Sequence, residues 1–307
     1  MSGRLPSRVT VVEVGPRDGL QNESASLTVE DRVAFCDRLI AAGLPVVEVG
    51  AFVSAQWVPQ MAGSDEVLRR VRKPPGVRLP VLVPNRQGFE RARAAGAREI
   101  AVFTAASESF SRRNTNASID ETFARFGEFV PEARQQGLRV RGYLSTAFGC
   151  PYEGRVAPER ATFVAQRLVE AGCDEVSIGD TIGVAVPTQV SELLGRLAEV
   201  VPAGRLAVHF HDTRGTALAN VLAAIQQGVT VVDSAAGGTG GCPYAPGASG
   251  NLATEDLLYM LHEMGIETGV DLAAVAEASR SLAATLGRTL PSRYLQAGPP
   301  AGRSASS

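Results

Sequence analysis

The chain is short of lysine, histidine and cysteine. Its 307 residues hold 30 Lys and Arg, of which one is lysine, Lys73, beside Pro74-Pro75. That position, between two strand-like runs, offers no lysine nucleophile to a Schiff-base aldolase. Three histidines are present, and two of them share one motif. Four scattered cysteines are too few for a disulfide scaffold and fit a reducing compartment. No apolar run approaches the roughly 18 residues of a membrane span. The opening MSGRLPSR lacks the apolar stretch of a signal peptide, so a cytoplasmic location is expected. Neither sign of charge dominates. With a net charge of −2 the chain carries no electrostatic footprint for nucleic acid or a membrane surface. What is present, 45% hydrophobic and 20% charged residues, is the composition of an ordinary globular protein with a large core.

Short β-branched runs alternate with helical patterns. Strands are expected at Val9–Val14, Pro45–Val49, Val77–Val83, Glu99–Thr104, Arg139–Ser145, Glu175–Ile178, Leu206–His211 and Val229–Ser234. Their continuous apolar character suits parallel strands buried on both faces. Between the first two, Thr28 can cap a helix, Asp31 sits in its first turn, and Val29, Val33, Cys36 and Ile40 share a face until Gly43 stops it. Further helices are expected at Ser64–Arg72, Arg86–Ala95, Ile119–Gln136, Pro158–Ala171, Pro187–Val200 and Thr216–Gln227. Eight such units predict an α/β fold of the (β/α)8 TIM-barrel type, with an open doubly wound sheet as the alternative. Ala253–Met264 and Leu272–Leu286 read as additional C-terminal helices. One barrel domain over 1–295 and a disordered Gly/Pro/Ser-rich tail over 296–307 are expected.

Barrel chemistry sits at the C-terminal ends of the strands. The first strand runs into Gly15-Pro16-Arg17-Asp18-Gly19, and the seventh carries His209-Phe210-His211. Residues i and i+2 on a strand face the same way, so both imidazoles can point into the mouth and clamp a divalent cation. Asp18 is the natural carboxylate partner, and a mixed N/O set favours Mg²⁺ or Mn²⁺. Arg17 can bind a carboxylate or steady an oxyanion. Glu48 and Asp180 are acids in apolar strands and need partners; supporting the histidines or Arg17 is the role expected of them. After the eighth strand a glycine-rich turn leads to Cys242, a candidate acid/base thiol. Cys150 repeats the Gly-Cys-Pro-Tyr string and is read as a loop residue or part of the mouth; Cys36 and Cys173 read as core.

Several strings then resemble one family. They are Val12 to Glu23 (VEVGPRDGLQNE), Phe52-Val53-Ser54 with Trp57 to Met61 (WVPQM), Gly179 to Gly183 (GDTIG), His209 to Thr213 (HFHDT), and Gly241 to Asp256 with its cysteine. Together they resemble the 3-hydroxy-3-methylglutaryl-CoA lyases from about Val9 to about Arg288. The resemblance implies a metal-dependent barrel lyase that splits its acyl-CoA substrate into acetoacetate and acetyl-CoA. It implies Asp18, His209, His211 and Asn251 as metal ligands, Arg17 as enolate stabiliser, and Cys242 as catalytic thiol on a mobile loop. It also implies supporting roles for Glu48, Asp180 and Glu255, and a homodimer. Ala55-Gln56 and Arg112-Arg113 depart from residues common in relatives. Arg112 and Arg113 are candidate contacts for CoA phosphates, with a solvated basic pair as the alternative.

Other readings compete. Isopropylmalate and homocitrate synthases share the Arg-Asp and His-x-His elements, but usually have Glu-Gln where this chain has Leu20-Gln21, and lack the Gly-Cys-Pro-Tyr loop. Barrel carboxyltransferases need a carbamylated strand lysine, which Lys73 is not placed to supply. A related 3-hydroxyacyl-CoA thioester is an alternative substrate, because pocket contacts worth about 1–3 kcal/mol separate such acyl groups. A cation-binding barrel without activity would tolerate losses in the ligand set, and none is seen.

Overall fold

The computed structural model describes residues 5–25, 27–241 and 250–298. Eight parallel strands form its centre: β1 (Thr10–Glu13), β2 in two short pieces (Val46–Val47 and Gly50–Ala51), β3 (Val81–Leu82), β4 (Glu99–Ala105), β5 (Arg139–Ser145), β6 (Glu175–Asp180), β7 (Leu206–Phe210) and β8 (Val231–Ser234). Each pairs with its neighbour in sequence order. The first piece of β2 pairs with β1, the second with β3, and Val47 and Val49 N–H groups also reach the carbonyls of Arg78 and Pro80. Thr10–Glu13 lies in register against Val231–Ser234, so β8 returns to β1 and the ring closes. An open sheet would leave two unpaired edges. The fold is the expected barrel.

Helices ring the strands: α1 (Val29–Ala41), α2 (Ser64–Arg70), α3 (Arg86–Ala94), α4 (Glu108–Thr115), α5 (Ile119–Gly127), α6 (Val130–Gln135), α7 (Pro158–Glu170), α8 (Pro187–Leu197), α9 (Ala217–Gln226), α10 (Thr254–Glu263), α11 (Leu272–Leu286) and α12 (Arg293–Ala297). Thr28 and Asp31 form a reciprocal cap on α1, and Gly43 takes a left-handed φ of 91° just past its end. The inward face of α1 is centred on Arg32, Phe35, Cys36, Leu39 and Ile40, with Val29 and Val33 only partly covered.

Three expectations needed correction. The single helix expected over 119–136 is two, because Pro131 cannot donate to the helix ladder and its ring crowds the preceding turn; Phe129 breaks the helix at φ −140°. The polar helix α4, capped by Ser107, has no apolar stripe and was not anticipated. Gln296 and Ala297, expected in the tail, close α12, whose N-cap Ser292 accepts from Leu295 N–H. Residues 299–307 lie outside the described residues. Among the described residues, no helix is long and apolar enough to cross a membrane.

Candidate active site

The turn after β1 places the first two site residues. Gly15–Gly19 forms one turn of π-helix in which the N–H groups of Arg17, Asp18 and Gly19 all reach the carbonyl of Val14. Such turns push side chains out of regular register and recur at functional sites. The turn is tight: a Cβ on Gly15 would lie 2.5 Å from Glu13 Oε1, and one on Gly19 would collide with the Thr239 hydroxyl. Glu13 is buried beneath it and accepts from the N–H groups of Gly15 and Ala236 and from the Thr254 hydroxyl. Burial pushes the Glu13 carboxyl up to about 7, against those hydrogen bonds.

Arg17 is 7% exposed and held from two sides. Its Nε donates to Glu48 Oε2 at 2.7 Å and its Nη1 to Asp18 Oδ1 at 2.5 Å. Tyr143 donates to the same Glu48 oxygen at 3.1 Å, and its ring lies under the guanidinium, 5.2 Å from Cζ to the centroid. Glu48 thus bridges Arg17 and Tyr143.

Asp18 and the histidines converge. One ligand atom from each of Asp18, His209 and His211 lies within 4.8 Å of the others. His209 Nε2 is 3.9 Å from Asp18 Oδ2, and the two imidazole centroids are 5.3 Å apart. Burial disfavours the charge on Asp18, but Arg17 and the histidines outweigh it and hold the carboxyl well below the usual carboxylate range. Burial, then His209, push His211 down to about 4. Its imidazole is thus neutral at pH 7, the form that ligates metals. Asn251 arrives beside them through an isolated bridge to His211 and donates Nδ2 to Asp18 Oδ2 at 2.9 Å. Among the described residues, Asn251 Oδ1 and His211 Nδ1 are buried without a hydrogen-bond partner. Orphaned acceptors beside a carboxylate and two imidazoles fit a divalent cation of the Mg²⁺ or Mn²⁺ class.

The other expected residues fall into three groups. Among the described residues, the hydrogen bonds of the Asp180 side chain go to backbone rather than to the histidines or Arg17. Its carboxylate accepts from the N–H groups of Val184 and Ala185 and so shapes the loop after β6. Glu255 accepts from the Gly237 N–H and from the Ser279 hydroxyl, and burial pushes it up to about 7. It fixes the base of the glycine turn after β8, where Gly237 has φ +70° and no room for a side chain against Leu290. Cys242 lies outside the described residues. Arg113 lines the mouth with its guanidinium 4.3 Å over the Tyr152 ring, whereas the exposed Arg112 is not part of that lining. Cys150 is buried under the rim, accepting from the Ser107 hydroxyl, and Cys36 and Cys173 are buried with thiols pushed up to about 12 by their surroundings.

Sequence reasoning missed four buried polar residues. Asp233 on β8 meets His209 Nδ1 at 3.3 Å. Arg141 and Ser177, on β5 and β6, hold Asp233. Tyr143 on β5 joins Arg17 to Glu48. A charge inside an apolar strand, the signal that picked out Glu48, was also present at Arg141 and Asp233.

The mouth opens into a cavity of about 870 Å³ that reaches from His209 and His211 past Tyr143 to Phe110, Arg113 and Trp57. That is room for a large organic ligand with polar and apolar parts.

Comparison with known proteins points to one family. The HMGL-like family model matches residues 8–282. The chain is 56% identical over 285 residues to the hydroxymethylglutaryl-CoA lyase of Pseudomonas mevalonii, covering 93% of this chain and 95% of that one. It is 54% identical over 293 residues to the cytoplasmic 3-hydroxy-3-methylglutaryl-CoA lyase of Mus musculus, covering 95% and 85%. The crystal structure of hydroxymethylglutaryl-CoA lyase from Pseudomonas aeruginosa superposes with a TM-score of 0.93 at 51% identity, covering 95% and 98%.

Proposed function

The chain belongs to the HMGL-like family, and from that premise we propose that its barrel mouth cleaves 3-hydroxy-3-methylglutaryl-CoA to acetoacetate and acetyl-CoA. The observation that carries this reading is the convergence of Asp18, His209 and His211 beside Arg17 at the floor of a large cavity.

The reaction is a retro-Claisen cleavage. The C3 hydroxyl gives up its proton and becomes the ketone of acetoacetate. The C2–C3 bond breaks, its electron pair becomes the enolate of acetyl-CoA, and C2 then takes a proton. Asp18, His209, His211 and the amide oxygen of Asn251 would hold Mg²⁺ or Mn²⁺, which when bound acidifies an alcohol and orients it. Arg17 supplies a fixed positive charge where the enolate oxygen develops, and cannot lose it. Glu48 and Tyr143 keep the guanidinium from rotating, so little reorganisation accompanies the reaction. Cys242 is the thiol assigned to move a proton at C2. Glu255 and Asp180 support the surrounding loops. Arg113, on the cavity wall, is the better placed of the two arginines to meet a CoA phosphate.

The reading includes a single domain over 1–295, a homodimer, an acyl-CoA substrate with no nucleic-acid or membrane partner, and a cytoplasmic bacterial setting. Support for the last comes from the few scattered cysteines and from the bacterial relatives. The test is release of acetoacetate and acetyl-CoA from 3-hydroxy-3-methylglutaryl-CoA with Mg²⁺ or Mn²⁺, repeated in EDTA. Rapid cleavage abolished by EDTA is expected. Absence of cleavage by protein that binds Mn²⁺ would move the search to other 3-hydroxyacyl-CoA thioesters.

A further inference from the structure

A column of paired charges, partly exposed at its base and fully buried at its top, runs beneath the site. Arg78 and Arg139 meet Glu99, Arg139 also meets Glu175 at 3.3 Å, and Glu175 meets Arg141 at 3.0 Å. The Arg141 and Asp233 side chains are fully buried and paired at 2.6 Å, and Asp233 ends the column at His209. The lower part balances its own charges. The top is different, because its last acceptor faces a histidine that also faces Asp18.

We propose that Asp233, clamped by Arg141 and Ser177, is the positioning residue that fixes the tautomer and ring orientation of His209, leaving Nε2 bare toward Asp18. This rests on the reading of His209 as a cation ligand. The argument is one of donors and acceptors. Arg141 Nη2 donates to Asp233 Oδ1 at 2.6 Å, and a guanidinium has no acceptor to offer in return. Ser177 Oγ donates to Oδ2 at 2.8 Å. The remaining acceptor capacity of Oδ2 faces His209 Nδ1 at 3.3 Å, so the proton of a neutral imidazole belongs on Nδ1. Nε2 is then a lone pair 3.9 Å from Asp18 Oδ2, an oxygen that also accepts from Asn251 Nδ2, and the two atoms can share one cation. A carboxylate behind a ligating histidine sets tautomer and basicity in this way, at about 10–100-fold in metal affinity.

Asp233→Asn tests the idea without changing shape. Arg141 has only donors, so the new amide must turn its oxygen to Arg141 and its NH₂ toward Ser177 and His209. Nδ1 is forced to accept, and the imidazole proton moves to Nε2, the atom meant for the cation. Imidazole ¹⁵N NMR of the metal-free full chain reads this directly, and only three histidines need assignment. The expected result is Nδ1–H on His209 in the parent and Nε2–H in Asp233→Asn. Titration with Mn²⁺ should then show affinity lower by about 10–100-fold with an unchanged circular dichroism spectrum. The same tautomer in both proteins, or Nε2–H in the parent, overturns the proposal. Ser177→Ala is the second variant should Asp233→Asn misfold: Nδ1–H retained with Mn²⁺ affinity reduced about threefold or more is expected, and Nε2–H or parental affinity would count against Asp233. A parent that binds no Mn²⁺ would instead sink the cation-site reading, while the tautomer comparison still decides the role of Asp233.

Discussion

Arg17 shows how much of the site is settled at single residues. Its guanidinium uses Nε for Glu48 and Nη1 for Asp18 while lying on Tyr143. A lysine can reproduce the charge but not that fork. Arg17→Lys is therefore expected to keep Mn²⁺ binding and lower kcat by about 10²–10³-fold, the size of effect seen when a preorganised donor to an oxyanion is lost. Steady-state kinetics beside Mn²⁺ titration check it; a kcat within threefold of the parent would remove Arg17 from enolate stabilisation. Arg17, Asp18, His209 and His211 were legible because each sits at a strand end, or in a same-face pair, that local pattern can locate. Arg141, Ser177 and Asp233 were not, because they come from three separate strands and are joined only by barrel curvature.

At the scale of elements, the turn after β1 and the glycine turn after β8 support each other. The closeness of Gly19 to Thr239 leaves no space for a methyl group. Gly19→Ala should lower stability by about 1–3 kcal/mol, the usual range for overpacking a filled site. Adding Thr239→Ala should recover most of the loss, since it removes the hydroxyl oxygen in collision and leaves only the Thr239 Cβ, 3.1 Å away. Urea melts of the three proteins check this, and a double variant no better than Gly19→Ala would mean that the strain lies in the backbone. Helix boundaries with explicit punctuation, such as Thr28 and Gly43 around α1, were readable from sequence. Helix α4 was not, since its order depends on the Ser107 cap and on packing against β4 and α5 rather than on an apolar stripe.

For the whole molecule, the buried acids beneath the β1 and β8 turns make stability depend on pH. Glu13 and Glu255 both rise from 4.5 to about 7 in the folded chain. Between those values the folded state holds protons that the unfolded state has released. Each acid thus contributes stability that is complete below about pH 4.5 and lost as pH rises through about 7. Relative to the parent, Glu255→Gln should lose less stability between about pH 5 and pH 7.5, by an amount on the order of a few kcal/mol. Parallel pH-dependent denaturant melts of metal-free protein test this, and identical slopes would show that Glu255 is ionised throughout. Cation binding is expected to act on the whole fold as well, because the proposed ligands come from the turn after β1, the C-terminal end of β7 and the segment after β8. Mn²⁺ at about 100 times its Kd should add about 2.7 kcal/mol, and EDTA should remove it. A melting temperature indifferent to both would speak against a site built by the folded barrel.

Sequence alone determined the alternation of strands and helices, the closing number of eight, and the residues at the strand ends, because periodicity and strand-end position are local properties of the chain. The sequence also carried the His-x-His pair to one face, since the pleat has a period of two. Tertiary structure decided what those residues lean on. Asp233 meets His209, Ser177 and Arg141, which lie 24, 56 and 92 residues away, only because of how their strands are staggered around the barrel, whereas Asp180 turns to loop N–H groups four and five residues on. That stagger is set by closure of the ring, which no local stretch of sequence encodes.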